Sequence, residues 1–247
     1  MNRIKDYSKL KYDIIGWLKD YYYFHRIKAF VVGVSGGIDS AVVSTLCAET
    51  EQPTYILTMP LHSKEENTRL SDAHANALIK KYSNVKVVNI DLSETYETLL
   101  FNIDKDFVNN KLANANTKSR LRMVILYQIA GSVGGIVVGT GNKVEDYGIG
   151  FYTKYGDGGV DIAPIADLYK TEVWELGKHL GVDGRIINAI PTDGLWDDGR
   201  CDEDQIGASY EELEEAMEYR RGPALDILDE YNRKNNHKME PIPTFKL

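Results

Sequence analysis

Residues 31–41 read VVGVSGGIDSA, and this stretch constrains the fold more than any other part of the chain. An apolar run over residues 29–34 stops in a glycine-rich turn and restarts as a helical pattern, SAVVSTLCAE. Strand, tight turn and helix in that order build an anion cradle. Glycines admit a close backbone approach, and the helix N-terminus turns its unpaired N–H groups and positive dipole end toward the ligand. A phosphate loop of the Walker type also carries a lysine. This one has none, and it puts Asp39 where phosphates would lie. Two readings of Asp39 stand at this point. It is either the N-cap of the following helix or a ligand for Mg²⁺, which would bridge the carboxylate to phosphate oxygens.

The remaining pattern alternates strands and helices. Apolar residues recur from Ile4 through Tyr7, Leu10, Ile14, Leu18, Tyr21 and Tyr22, one face of an amphipathic helix. Further strands are predicted over 54–59, 85–90 and 135–140. A helix follows Ser63 and Glu66, which have capping-box spacing, and runs to about Tyr82. A polar stretch after residue 90 precedes a helix over 117–133. A glycine-rich loop (151–161) and a helix over 167–181 come next, then a long acidic mobile loop (192–207), two short helices and a proline-containing tail. Near-continuously apolar strands separated by helices imply a doubly wound, mostly parallel sheet with helices on both faces, a Rossmann-like α/β fold. The 247 residues suit one domain, 1–247, with a helical C-terminal part from about 182. Ligands in such sheets collect at the carboxyl ends of strands.

A second motif, GTGNKVED, follows the strand at 135–140 and offers Thr140, Lys143 and Glu145. Glu145 is either a solvated loop acid or a second carboxylate for the same Mg²⁺. Lys118, Arg120 and Arg122 crowd the expected start of one helix, and Lys170 the start of another. Cations there oppose the helix dipole at a few tenths of a kcal/mol each, so their placement implies an incoming polyanion. The chain as a whole is acidic, with 29 Lys and Arg against 37 Asp and Glu. That balance counts against nucleic acid as a main substrate. Cys47 and Cys201 have no metal or redox spacing, and no stretch reaches membrane-span length, so a soluble cytoplasmic protein is expected.

SGGIDS resembles the pyrophosphate loop of the ATP-pyrophosphatases, which activate a carboxylate by adenylation. Together with NTKSRLRM, TKYGDGGVD, PIADLYKTEVWEL and the pair His237–Lys238, it resembles the ammonia-dependent NAD synthetases over residues 5–240. The resemblance implies a ligase that amidates deamido-NAD with ammonia to NAD, through an acyl-adenylate with release of AMP and pyrophosphate. Gly33, Val34, Ser35, Gly36, Gly37, Ile38, Asp39 and Ser40 match its ATP-binding segment, and Thr140, Lys170 and Thr192 its other ATP contacts. Asp39 and Glu145 match its Mg²⁺ ligands. Arg120, Lys154, Asp161, His237 and Lys238 match contacts to deamido-NAD, and Asp157 lies near the ammonia site. A homodimer with a shared active site is also implied. The stretch between Glu145 and Asp157 is one residue longer than the family pattern. Two alternatives are another adenylating ATP-pyrophosphatase and a nucleotide-binding module without turnover.

Overall fold

Strand β1 (Phe30–Gly33) is buried at Phe30, Val31 and Val32. Successive strand side chains point to opposite faces. Phe30 and Val32 therefore enter one core with Leu46 and Leu176, while Val31 enters another with Leu57 and Val137. A strand buried on both faces belongs inside a covered sheet. Strands β2 (Thr54–Thr58), β3 (Val85–Asn89) and β4 (Ile136–Val137) complete it, all parallel, in the order β3-β2-β1-β4. Phe30 pairs with Thr54 on one side and Ile136 on the other. The computed structural model describes residues 3–63, 65–192 and 201–246.

Helices α1 (Tyr7–Phe24) and α2 (Ile38–Glu49) cover the Phe30 face, and α3 (Glu65–Lys81) packs against β2, β3 and α2. Helices α4 (Ser93–Phe101) and α5 (Lys111–Val133) cover the Val31 face. Helix α6 (Lys170–Leu180) packs against α1 and α2. The chain moves outward from β1 to β2 and β3, then returns to the other side of β1 for β4. That reversal opens a crevice at the carboxyl ends of β1 and β4, the usual ligand position in such sheets.

The C-terminal part contains α7 (Gly184–Ile187), α8 (Asp202–Ile206), α9 (Tyr210–Tyr219) and α10 (Leu225–Met239). Its core joins Tyr210, Leu213 and Leu228 to Val144 and Ile149 of a π-helical turn, Lys143–Ile149. The helical end is thus packed directly on the segment that carries Glu145.

Four expectations change. Helix α5 begins at Lys111, six residues before the predicted start, because Asn110 caps it by accepting from the Ala113 N–H. Lys118, Arg120 and Arg122 consequently lie well inside the helix, and the dipole argument does not apply to them; it applies to Lys170, the first residue of α6. The polar stretch after residue 90 contains α4, held through buried Tyr96. Within the expected loop at 192–207, residues 202–206 form α8, and residues 193–200 lie outside the described residues. Among the described residues, no helix is long and apolar enough to cross a membrane.

Candidate active site

The crevice is a cavity of about 320 Å³, lined by the loop from Gly33 to Ser40, by Gly139–Gly141, and by Glu145, Asp157, Lys170 and Thr192. The loop holds its own shape. The Ser35 N–H donates to Ser40 Oγ at 3.2 Å, the Ser40 hydroxyl donates to the Gly37 carbonyl at 3.0 Å, and the Gly37 N–H donates to Ser35 Oγ at 3.2 Å. Gly36 has φ +93°, and a Cβ there would lie 2.7 Å from the Asn67 carbonyl oxygen. Only glycine fits. Gly37 is the N-cap of α2 and provides no side chain to cover the first-turn N–H groups.

Asp39 is therefore not the cap. It sits in the first turn of α2, 16% exposed, where Oδ2 accepts from Lys170 Nζ at 2.5 Å and Oδ1 accepts from Asn142 Nδ2 at 3.3 Å. Glu145, 17% exposed, is not a solvated loop acid either. Its Oε1 accepts from the same Lys170 Nζ at 2.9 Å and from the Tyr210 hydroxyl at 2.7 Å. Segments distant in sequence thus bring two carboxylates onto one ammonium whose side chain is only 3% exposed. Burial opposes the Lys170 charge, but Asp39 and Glu145 more than offset it and push its pKa far up. Burial raises Asp39 despite its lysine; burial also works against Glu145, but Lys170 and the Tyr210 hydroxyl hold it below the usual carboxylate range.

The cluster fits a divalent cation. Lys170 Nζ marks a point that both carboxylates already reach with positive charge. Among the described residues no group of three His, Cys, Asp or Glu forms a closed metal cage. Mg²⁺ needs none, since it commonly takes one or two carboxylates with the remaining positions filled by phosphate and water.

Local sequence explains how Glu145 is aimed. Asn142, fully buried, accepts from the N–H groups of Val144 and Glu145 and so caps the turn that follows. That turn is π-helical. A π turn holds one residue more than an α turn, and this one ends at Ile149, ahead of the glycine-rich loop that carries Asp157.

Asp157 lines the same cavity. Its Oδ1 accepts from the Ser119 hydroxyl at 2.6 Å and the Thr153 N–H at 3.0 Å, while burial pushes its pKa up. Arg122 is one helical turn beyond Ser119 and also lines the cavity, its Nε donating to the Met59 carbonyl at 3.1 Å. Thr140 is half-buried, and Thr192 is exposed at the rim.

The five residues matched to deamido-NAD do not all gather. The Arg120 Nε donates to the Lys154 carbonyl at 3.3 Å, Lys154 Nζ to the His237 carbonyl at 2.8 Å, and Lys238 Nζ to the Gly150 and Tyr152 carbonyls. These four form one group beside the glycine-rich loop. Asp161 stands apart from that group, accepting from the Tyr127 hydroxyl at 3.0 Å and the Val137 N–H at 2.7 Å. Asn142, Ser119 and Tyr210 carry site contacts that motif reading passed over. Asn142 had a signal, an Asn immediately ahead of an acidic helical turn. Tyr210 had none, lying 65 positions from Glu145.

The profile of the family described as NAD synthase matches residues 11–242. An NH(3)-dependent NAD(+) synthetase from Finegoldia magna is 35% identical over 243 residues, covering 98% of this chain and 97% of that protein. One from Methanococcoides burtonii is 42% identical over 195 residues, 78% of this chain and 72% of its own length. The solved NMN synthetase of Francisella tularensis superimposes with a TM-score of 0.91 at 30% identity, covering 99% of this chain and all of that one (100%).

Proposed function

The chain belongs to the NAD synthase family, and we infer from this that its cavity carries out the ATP-dependent amidation of deamido-NAD by ammonia, giving NAD. The observation that carries the reading is the meeting of Asp39, Glu145 and Lys170 at the mouth of the glycine loop. A binding module without turnover does not require two carboxylates and a buried cation beside a phosphate cradle.

The proposed steps use these groups in order. A nicotinate carboxylate oxygen attacks the α-phosphorus of ATP, forming the acyl-adenylate as the bond to pyrophosphate breaks. The Gly33–Ser40 loop holds the departing pyrophosphate by its N–H groups, and Lys170 offsets the charge that develops there. Asp39 and Glu145 would hold Mg²⁺, which shields phosphate charge. Ammonia then attacks the activated carbonyl, its nitrogen loses a proton to Asp157, and AMP leaves. The raised Asp157 pKa suits a proton acceptor. Thr140 and Thr192 contact ATP, and the Arg120, Lys154, His237 and Lys238 group, with Asp161, contacts the dinucleotide.

A homodimer sharing the site completes the proposal. Phe101 (88% exposed), Phe107, Leu112 and Val124 leave apolar side chains in solvent on and beside α4 and α5, the second of which carries Arg120. A cytoplasmic location accords with the two free cysteines.

One observation favours a second acceptor, nicotinate mononucleotide: the close superposition on the Francisella NMN synthetase. The experiment supplies ATP, Mg²⁺ and ammonium with either acceptor and follows amide, AMP and pyrophosphate. Deamido-NAD is expected to give all three in equal amounts with the higher kcat/KM. A preference for the mononucleotide transfers the assignment to the second reading, and ADP with orthophosphate refutes adenylation.

A further inference from the structure

Tyr210 is fully buried at the start of α9 and touches both halves of the charged cluster. Its hydroxyl donates to Glu145 Oε1 at 2.7 Å, and its ring face lies 5.0 Å from Lys170 Nζ. The edge contact with Trp174, centroids 5.8 Å apart, fixes the ring plane. Asp202 Oδ2 lies 3.3 Å from the same phenol oxygen. A phenol carries one proton, and the shorter contact assigns it to Glu145.

We propose that Tyr210 is a positioning residue for Glu145, holding its carboxylate turned toward Asp39 so that both engage one divalent cation beside the ATP phosphates. The proposal rests on reading Asp39 and Glu145 as the cation ligands. A cation at the point now held by Lys170 Nζ displaces the ammonium from Glu145, whereas the Tyr210 hydroxyl approaches from α9 and stays. Ligating carboxylates depend on such hydrogen-bond partners, whose loss typically lowers metal affinity or activity by about 10–100-fold.

The test measures Mn²⁺ binding by electron paramagnetic resonance, with a non-hydrolysable ATP analogue present, in the full chain and in Tyr210→Phe, Glu145→Gln and the double variant. Phenylalanine keeps the ring, its contact with Trp174 and the cation above it. The Tyr210→Phe protein should bind Mn²⁺ about 10-fold more weakly. Its KM for the metal–ATP complex should rise more than its kcat falls. Glu145→Gln should bind more weakly still, and the double variant should match Glu145→Gln alone, since the hydroxyl acts through that carboxylate. Wild-type Mn²⁺ affinity in Tyr210→Phe, or additive losses in the double variant, overturns the proposal while a weak Glu145→Gln leaves the ligand assignment standing. Wild-type affinity in Glu145→Gln removes that assignment and the proposal with it. Should Tyr210→Phe fail to fold, Asp202→Asn decides. Freed from the second carboxylate, the phenol should hold Glu145 at least as well, and a 10-fold loss of Mn²⁺ affinity overturns the role.

Discussion

Replacing Lys170 with alanine removes the only ammonium joined to both Asp39 and Glu145 among the described residues. The two carboxylates then face one another across the vacated position. Two like charges about 5 Å apart at an effective dielectric near 20 repel by roughly 3 kcal/mol. Breaking a buried pair by deleting one partner costs about 3–5 kcal/mol. Taking the lower figure, Tm should fall by about 6–12 °C for a chain of this size in metal-free buffer. The raised Lys170 pKa places its contribution fully below the unfolded value of 10.5, and it is lost only as pH rises through the higher folded value. At pH 8 the wild type keeps all of it. In the variant, burial and mutual repulsion raise both carboxylate pKa values, so protonation relieves the penalty and the deficit shrinks on acidification through the carboxylate range.

The sign of the metal response is the sharper readout. If Asp39 and Glu145 hold a divalent cation as proposed, Lys170 would compete with it for the same point, so millimolar Mg²⁺ without ATP should raise Tm in Lys170→Ala more than in wild type. Turnover should drop about 10²–10³-fold, as for loss of one charge-stabilising donor. Adenylate formation in a single turnover should fall more than its subsequent reaction with ammonia. Thermal scans with and without Mg²⁺ at pH 8 and pH 5, with rapid-quench measurement of the adenylate, make the check. An unchanged Mg²⁺ response together with normal adenylate formation would refute the reasoning.

Asp39→Asn and Glu145→Gln should each lose most turnover while circular dichroism stays native; normal activity with ordinary Mg²⁺ dependence removes that residue from the cation site. His74, buried and bonded through Nε2 to Ser44 Oγ at 2.9 Å, has its pKa lowered to about 4 by burial. The unfolded chain takes up this proton first, so stability should decline as pH falls from about 6.5 to 4, by roughly 3 kcal/mol in total. Urea melts of wild type and His74→Gln across that range test this, and identical slopes would exclude His74 as the source. Gly177 of α6 faces Ile38 at the start of α2, and a Cβ there would lie 2.6 Å from Ile38 Cδ1. Ile38 Cδ1 is the free end of a flexible side chain that can turn aside, so Gly177→Ala should leave Lys170 in place and the KM for ATP unchanged; a raised KM would show that this helix contact sets the lysine.

The sheet was legible because its signal is local. The apolar runs at β1 and β2 are bounded by turn residues, and burial on both faces makes them continuous rather than alternating, while the edge strand β3 keeps three valines in VKVVN although only Val85 is fully buried. The start of α5 and all of α4 were not, because NNKLANAN and SETYETLL carry polar residues at solvent positions and depend on Asn110 and Tyr96 for anchorage. In the site, the motifs located Asp39, Glu145 and Lys170, but their mutual contact is tertiary. Nothing around Lys170 in sequence says that its ammonium lies between two acids from elsewhere. Tyr210 was hidden for the same reason, since an aromatic at helical spacing reads as core and its hydroxyl partner is set by how α9 docks.

The Walker lysine is supplied by the loop itself, whereas this loop borrows its cation from a residue 131 positions away. That choice has a structural cost and a use. Lys170 begins α6, where the helix dipole disfavours a cation by a few tenths of a kcal/mol, and the pair of carboxylates offsets this many times over. Because α6 is held beside the loop by packing on α1 and α2, charge balance at the phosphate cradle depends on completion of the fold. The same arrangement lets one ammonium serve two partners in turn. Without nucleotide it neutralises Asp39 and Glu145. If Asp39 and Glu145 hold a divalent cation as proposed, the freed ammonium would be left to face the phosphates. On the proposed reading the aspartate in the phosphate loop would be matched first by the lysine and then by a metal, and at neither stage would it be left as an uncompensated negative charge against ATP.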